Sequence, residues 1–301
     1  MIYKAQGKLL LTSEYFVLDG ATALAAPSKY GQTLSVLPND SSHLSWKSID
    51  HEGNCWFETI IDLPLRKPTN DASAIKTKLI ELLLFAQKNN NSFLNQGYDV
   101  QLRSDFPLNW GLGSSSTLVS VIAQWAAVNP YAMQFHSFGG SGYDIACATA
   151  QTPVLYQKLP QIQTSPVEYS PPFKSNMAFV YLGKKQNSRE GIAHYKSLQV
   201  ARKKEIIARL DELTSDLIAC TDLDAHLHII SEHEAILSGI LQMPTVKSAL
   251  FSDFQGEVKS LGAWGGDFVW ASGNQGFIEM KKYFEAKEYK PVLSWSEMFE
   301  N

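Results

Sequence analysis

The chain has 301 residues, 45% of them hydrophobic, and a formal net charge of -4. That length exceeds one small core and points to one large α/β unit or two packed domains. The charge leaves no basic excess to neutralise phosphates, which excludes nucleic acid as the main partner while leaving room for a local small-anion site. Cys55, Cys147 and Cys220 lack CxxC spacing and read as reduced thiols of a cytoplasmic protein. The amino terminus meets Ser13 and Glu14 too soon for a signal peptide, and no stretch approaches the ~20 apolar residues of a membrane span, so a soluble protein with no membrane partner is expected.

In chain order, the first third is β-rich. Strands are predicted around Ile2–Leu11, Thr22–Ala26, Gln32–Leu37, His43–Ile49 and Cys55–Ile61, separated by Gly, Pro, Asn and Asp signals. A helix follows over Ala72–Lys88, where Ile75, Leu79, Leu82, Leu83 and Ala86 recur at three- to four-residue spacing. Tyr98–Phe106 alternates as a strand and leads through a glycine-rich loop into the next helix, with Leu118, Ile122, Ala123 and Trp125 at helical spacing. After a strand at Val154–Gln157, the proline-rich segment Pro160–Pro172 reads as the crossing between domains, 1–160 and 173–301. Beyond it are predicted a strand at Met177–Leu182, two or three helices between Arg189 and Gln242, and a glycine turn at Gly262–Gly266. A strand at Phe268–Ser272, a helix at Phe277–Ala286 and a strand near Val292–Trp295 complete the chain. This order suggests an α+β sandwich with helices on one face of a small antiparallel sheet.

The chemistry concentrates in Asn109–Thr117, NWGLGSSST. A helix amino terminus leaves N–H groups unpaired and carries partial positive charge. Glycines allow close backbone approach and small hydroxyls add donors, so the loop reads as a phosphate cradle. It is not a Walker A loop, because Ser114 stands where that motif requires Lys. One hydroxyl would suffice for an ordinary helix cap; here there are four in succession, Ser114 to Thr117.

Pro107 to Ser116 resembles the P-x-x-x-G-L-G-S-S-[GA] signature of the small-molecule kinases named for galactokinase, homoserine kinase, mevalonate kinase and phosphomevalonate kinase, the GHMP kinases. Three further segments fall in the order of that family. QGKLLLTSEYFVLDG aligns Lys8, Glu14 and Tyr15 with its amino-terminal element, with Ser13 where Gly is preferred. GGSGYDIACATAQTPVLYQ aligns Asp144 with the Asp that follows a Gly/Ser turn, and KSLGAWGGDFVWA resembles the G-A-G-G-G-D loop with Trp264 in place of the central Gly.

The resemblance implies an α+β GHMP kinase fold: a ribosomal S5 domain 2-like amino-terminal domain and a ferredoxin-like carboxy-terminal one. It implies ATP and Mg2+ as cofactors, with Asn109, Trp110, Gly111, Leu112, Gly113, Ser114, Ser115, Ser116 and Thr117 binding ATP and Ser115 reaching the metal. Asp144 and Lys8 would be catalytic, the carboxylate receiving or orienting the acceptor hydroxyl proton and the ammonium steadying the transferred charge. Substrate contacts are expected from Glu14, Tyr15, Gly140, Ser141, Gly142, Ser188, Arg189, Gly262 and Ala263. Lys184, Lys185, Ser188, Arg189 and Lys196 form a basic junction able to hold a carboxylate or phosphate, or serve as a solvated loop.

Some relatives add a carboxylate metal ligand between loop and Asp, yet Gly113–Tyr143 contains no Asp or Glu. Coordination would then rest on Ser115, phosphates and water, which Mg2+ tolerates. The side chain of Trp264 either packs away from the glycine loop or covers part of a ligand site. The His-rich stretch LDAHLHIISEHEAIL lacks HExxH and reads as a surface helix without chemistry.

The implied acceptor is a small acid alcohol or its phosphate, mevalonate or phosphomevalonate. A mevalonate diphosphate decarboxylase-like enzyme and a catalytically silent nucleotide- or phosphometabolite-binding relative are the alternatives, and a homodimer is one open assembly.

Overall fold

The computed structural model describes residues 1–68, 72–184, 186 and 188–300. The chain divides into two compact units, neither of them continuous: Met1–Gly7, Tyr30–Leu108 and Leu112–Thr149 form the first, and Lys8–Lys29, Asn109–Gly111 and Ala150–Asn301 the second. Strands β1 (Ile2–Leu10) and β2 (Ala23–Asn39) each contribute to both.

In the first unit, β3 (His43–Ile49), β4 (Cys55–Asp62) and β5 (Gly97–Ser104) join β2 in the order β4-β3-β5-β2, with β3 and β5 parallel and the other pairs antiparallel. Alternation sends Leu34, Val36, Leu44, Trp46, Val100 and Leu102 inward, while Lys47, Gln101 and Arg103 stay exposed. Helices α1 (Ala74–Asn89), α2 (Ser114–Ala126), α3 (Pro130–Ser137) and α4 (Tyr143–Thr149) contribute Leu79, Leu82, Leu83, Val119, Ile122, Met133 and Ile145 to the same core. Each such side chain removed from water contributes about 1.5–3 kcal/mol.

The sequence pattern predicts two strands where β2 runs unbroken for 17 residues. Gly31, which reads as a break, is a close-approach residue: a Cβ there would stand 2.3 Å from the carbonyl oxygen of Ala5.

In the second unit, β6 (Val154–Gln157) pairs with the start of β2, and β7 (Gln163–Pro166) lies antiparallel to β6. Pro160–Pro172 therefore carries a strand within this unit, whereas its prolines read as a crossing. The rest follows as β8 (Met177–Tyr181), α5 (Ser188–Ser197), α6 (Lys203–Ala219), α7 (Leu223–Leu241), α8 (Val246–Leu250), β9 (Glu257–Ser260), β10 (Phe268–Ser272), α9 (Gly276–Ala286), β11 (Val292–Leu293) and α10 (Trp295–Phe299).

The antiparallel order β11-β8-β10-β9, with helices between β8 and β9 and between β10 and β11, is the ferredoxin-like βαββαβ arrangement. Strand β9 completes it and lies outside the sequence-based elements. Its four residues include buried Lys259 and Ser260, so no alternation of apolar and polar residues marks it. Helix α7 is also more than a surface helix. His226, His233 and Glu234 are buried, and burial alone lowers the pKa of His226 to about 4.

Candidate active site

The glycine loop caps α2 by backbone geometry. Gly113 occupies the N-cap position at φ 88, in the left-handed region open to glycine, and no side chain caps the helix. Two of the four hydroxyls serve the loop itself: Ser116 Oγ donates to Gly113 O at 2.8 Å, and buried Thr117 Oγ1 donates to Gln32 Oε1 at 2.8 Å. Ser115 is exposed and Ser114 half-buried at the helix end, where the first amides of a helix lack intrahelical partners. Leu112 is buried and anchors the turn. The four hydroxyls thus separate into two that bond inward, Ser116 and Thr117, and two at the amino terminus of the helix, Ser114 and Ser115.

Asp144 lies in the first turn of α4, half-buried, after glycines Gly140 and Gly142 at φ 92 and 97. Gly142 O accepts the N–H of Ile145 at 3.0 Å, and Ser141 is buried beside that turn. Helices α4 and α2 pack together, so one unit carries both Asp144 and Ser115.

The second unit holds Asn109, Trp110, Gly111 and Lys8. Lys8 Nζ donates to Gly111 O at 3.1 Å. Tyr181 Oη donates to Asn109 O at 3.0 Å, and the Trp110 ring meets Phe268 edge to face at 5.5 Å between centroids.

Glu14 is 0% exposed, as is Lys259, whose Nζ stands 2.6 Å from Glu14 Oε1. Glu234 Oε1 is 3.6 Å from the same ammonium, and His233 Nε2 accepts the backbone N–H of Ser13 at 2.9 Å. Burial raises the Glu14 pKa against the opposing pull of Lys259 and raises that of Glu234 to about 7; burial and Lys259 together hold His233 well below the usual histidine range. Accepting through Nε2 requires His233 to be neutral with its proton on Nδ1. Glu14, expected as a substrate contact, is thus an internal ion-pair partner without accessible surface. Ser13, where the family pattern prefers Gly, takes φ 61 and anchors its hydroxyl on Thr22 O at 2.7 Å.

Tyr15 Oη accepts the N–H of Trp264 at 3.0 Å, and its ring stacks on Tyr195. Trp264 is 2% exposed; its indole lies among Phe16, Tyr195, Leu210, Leu237 and Leu241, with Nε1 donating to Pro244 O at 3.0 Å. Of the two readings for this residue, the indole packs away within its own unit. Gly262 takes φ 74 and Ala263 is buried beside it. Gln186 Nε2 donates to Trp264 O at 3.2 Å, tying the glycine turn to the segment before α5. Ser188 and Arg189 are exposed at the start of α5; Lys184, before the helix, and Lys196, in its last turn, are exposed too, and Lys185 lies outside the described residues.

Sequence reasoning missed Lys259, His233, Glu234, Gln186 and also Gly191, where a Cβ would stand 2.7 Å from Tyr15 Oη. The available signals were a lysine three residues before the glycine turn and the dense SEHE pattern in α7. Neither signal names its partner. Among the described residues, no group of three His, Cys, Asp or Glu side chains could hold a metal ion, and no helix is long and apolar enough to cross a membrane.

No protein-family model and no curated protein matches the chain. Solved structures do. Mevalonate kinase from Methanococcus jannaschii is 14% identical, with 97% of this chain and 96% of that one covered at a TM-score of 0.72. Phosphomevalonate kinase from Streptococcus pneumoniae, solved with phosphomevalonate and AMPPNP, is 18% identical with 98% and 99% covered at 0.72. Galactokinase from Lactococcus lactis, solved with galactose, is 12% identical with 97% and 91% covered at 0.70. The element order, the two sheets and these likenesses together show that the chain has the GHMP kinase fold.

Proposed function

We propose that the chain is an ATP- and Mg2+-dependent phosphotransferase that phosphorylates a small acid alcohol or its phosphate, mevalonate or phosphomevalonate. The observation that carries this reading is the division of labour at the head of α2, where Ser116 and Thr117 bond inward while Ser115 is exposed. An ordinary capped helix would use a hydroxyl as its cap, whereas here glycine caps and the hydroxyl remains available. The nucleotide-bound phosphomevalonate kinase of the same fold supports ATP as the donor.

In this reading the amide groups and Ser114 at the α2 terminus hold phosphate oxygens. Ser115 would hold Mg2+, which supplies charge neutralisation on the β- and γ-phosphates; a hard cation keeping several waters suits a site with one protein hydroxyl. Asp144 receives the acceptor hydroxyl proton as the acceptor oxygen bonds to the γ-phosphorus and the bond to the bridging oxygen of ADP breaks. Lys8 offsets negative charge on the transferred group. Gly140, Ser141 and Gly142 shape the turn before Asp144, and Ser188 with Arg189 offers hydrogen bonds to an anionic acceptor. Trp264, whose presence in the glycine loop motivates the silent-binder alternative, packs in a hydrophobic cluster and gives that alternative no support.

The test is Mg2+-dependent ATP consumption with mevalonate and with 5-phosphomevalonate, using wild type and Asp144→Asn. The expected result is turnover of one compound and loss of at least about a hundredfold in the variant. Phosphorylation of neither compound overturns the acceptor assignment, and absence of Mg2+-dependent ATP binding overturns the kinase reading. Release of CO2 from mevalonate diphosphate would assign the decarboxylase reaction instead.

A further inference from the structure

The geometry points to Asp267 as a positioning residue that acts through Gly111 on the ammonium of Lys8, an inference that rests on the phosphotransferase reading for its catalytic consequence. Gly111 is closed to any side chain. A Cβ there would stand 2.1 Å from Asp267 Cγ and 2.2 and 2.6 Å from its two carboxylate oxygens, and Gly111 already takes φ 70. The Asp267 carboxylate therefore lies against the Gly111 backbone and limits the orientation of the peptide whose oxygen receives Lys8 Nζ at 3.1 Å.

Asp267 is well placed to impose that limit because its own position is over-determined. It is 8% exposed and takes φ 53, uncommon for a residue with a side chain. Its N–H donates to Lys184 O at 2.8 Å, its carbonyl accepts from Leu182 N at 2.8 Å, and Oδ1 accepts from Gln186 N at 3.2 Å. The residues preceding Gly111 are also fixed, Asn109 by Tyr181 and Trp110 against Phe268. A lysine side chain has four rotatable bonds and ranges widely unless its head is held. Here the holding oxygen belongs to a peptide clamped on one side by a buried carboxylate. The clamp links the carboxy-terminal glycine loop to the amino-terminal lysine by a route that neither motif reveals alone.

Two measurements test this. In steady-state kinetics, Asp267→Ala is expected to lower kcat by about tenfold to a hundredfold, the scale of an ångström-level misplacement. The Michaelis constant for ATP should change by less than about threefold, since the change misplaces a reacting group rather than removing ground-state binding. Asp267→Asn, which preserves shape and the acceptor for Gln186 N–H, should retain most activity. On a Lys8→Met background the Asp267→Ala loss should vanish. Full additivity of the two substitutions, or equal losses in Asp267→Ala and Asp267→Asn, overturns the proposal. The second measurement does not depend on turnover: the 13Cε signal of Lys8 in lysine-labelled protein should shift in Asp267→Ala and remain in place in Asp267→Asn. An unmoved Lys8 signal in Asp267→Ala overturns the inference even if the chain is an active kinase, whereas a moved signal in a chain without ATP turnover overturns only the proposed function.

Discussion

Replacing Lys259 with Met should be among the most destabilising single changes in the second unit. Lys259 and Glu14 are both 0% exposed and 2.6 Å apart, and Glu234 stands 3.6 Å from the same ammonium. Methionine preserves much of the apolar stem but leaves two buried carboxylates with no cation. Breaking a buried pair from one side costs about 3–5 kcal/mol, because the remaining charge must be neutralised by protonation or stay uncompensated in a low-dielectric interior. For a unit of roughly 150–250 residues, at ~2–4 °C per kcal/mol, that corresponds to a fall in Tm of about 6–20 °C. Urea unfolding followed by tryptophan fluorescence reads the change, since Trp264 and Trp270 are both buried in this unit. Adding Glu14→Gln to Lys259→Met should recover part of the loss, with a coupling of about 1–3 kcal/mol between directly interacting residues. A Lys259→Met loss below about 1 kcal/mol, or strict additivity in the cycle, would refute the reasoning.

Glu234 makes stability pH-dependent. Its folded pKa is about 7, above its ordinary value, so between pH 4.5 and 7 the folded state holds a proton that the unfolded state has released. Stability should therefore fall as pH rises through that window, by about 1.4 kcal/mol per pH unit and on the order of 3 kcal/mol in all. Urea midpoints for wild type and Glu234→Gln should separate as pH rises, the wild type losing stability that the non-titrating variant keeps; parallel curves would contradict the assignment. Gly191→Ala tests the Tyr15 contact. A helical Gly→Ala change ordinarily stabilises by about 1 kcal/mol, but a Cβ at Gly191 would stand 2.7 Å from Tyr15 Oη. The result should be a loss of about 1–2 kcal/mol as the Trp264 N–H loses its acceptor, reversing to a gain in Tyr15→Phe, and a stabilised single variant would sink the idea. Ser115→Ala should raise the Mg2+ requirement of turnover while leaving Tm unchanged, whereas Ser116→Ala should lower stability by about 1 kcal/mol through the lost Gly113 bond. Identical behaviour of the two variants would remove the distinction between a ligand hydroxyl and a structural one.

Local chemistry is what the sequence by itself determined. The strands at His43–Ile49, Val154–Gln157 and Phe268–Ser272 and the helix starting at Ser114 depend on periodicity and turn residues within about ten positions of one another. The glycine-serine loop, Lys8 and Asp144 were legible because each lies in a short pattern. Only the tertiary structure decided which polar groups are consumed internally. Glu14 finds Lys259 across 245 positions, Ser13 finds His233 across 220, Tyr15 fills the space above Gly191, and the carboxylate of Asp267 closes on Gly111. It also made β2 one strand by laying the Ala5 backbone against Gly31, and drew the Trp264 indole into a hydrophobic cluster. Residue type sets which bonds a side chain can make, but burial sets which of them it must make, and burial is a property of the assembled chain.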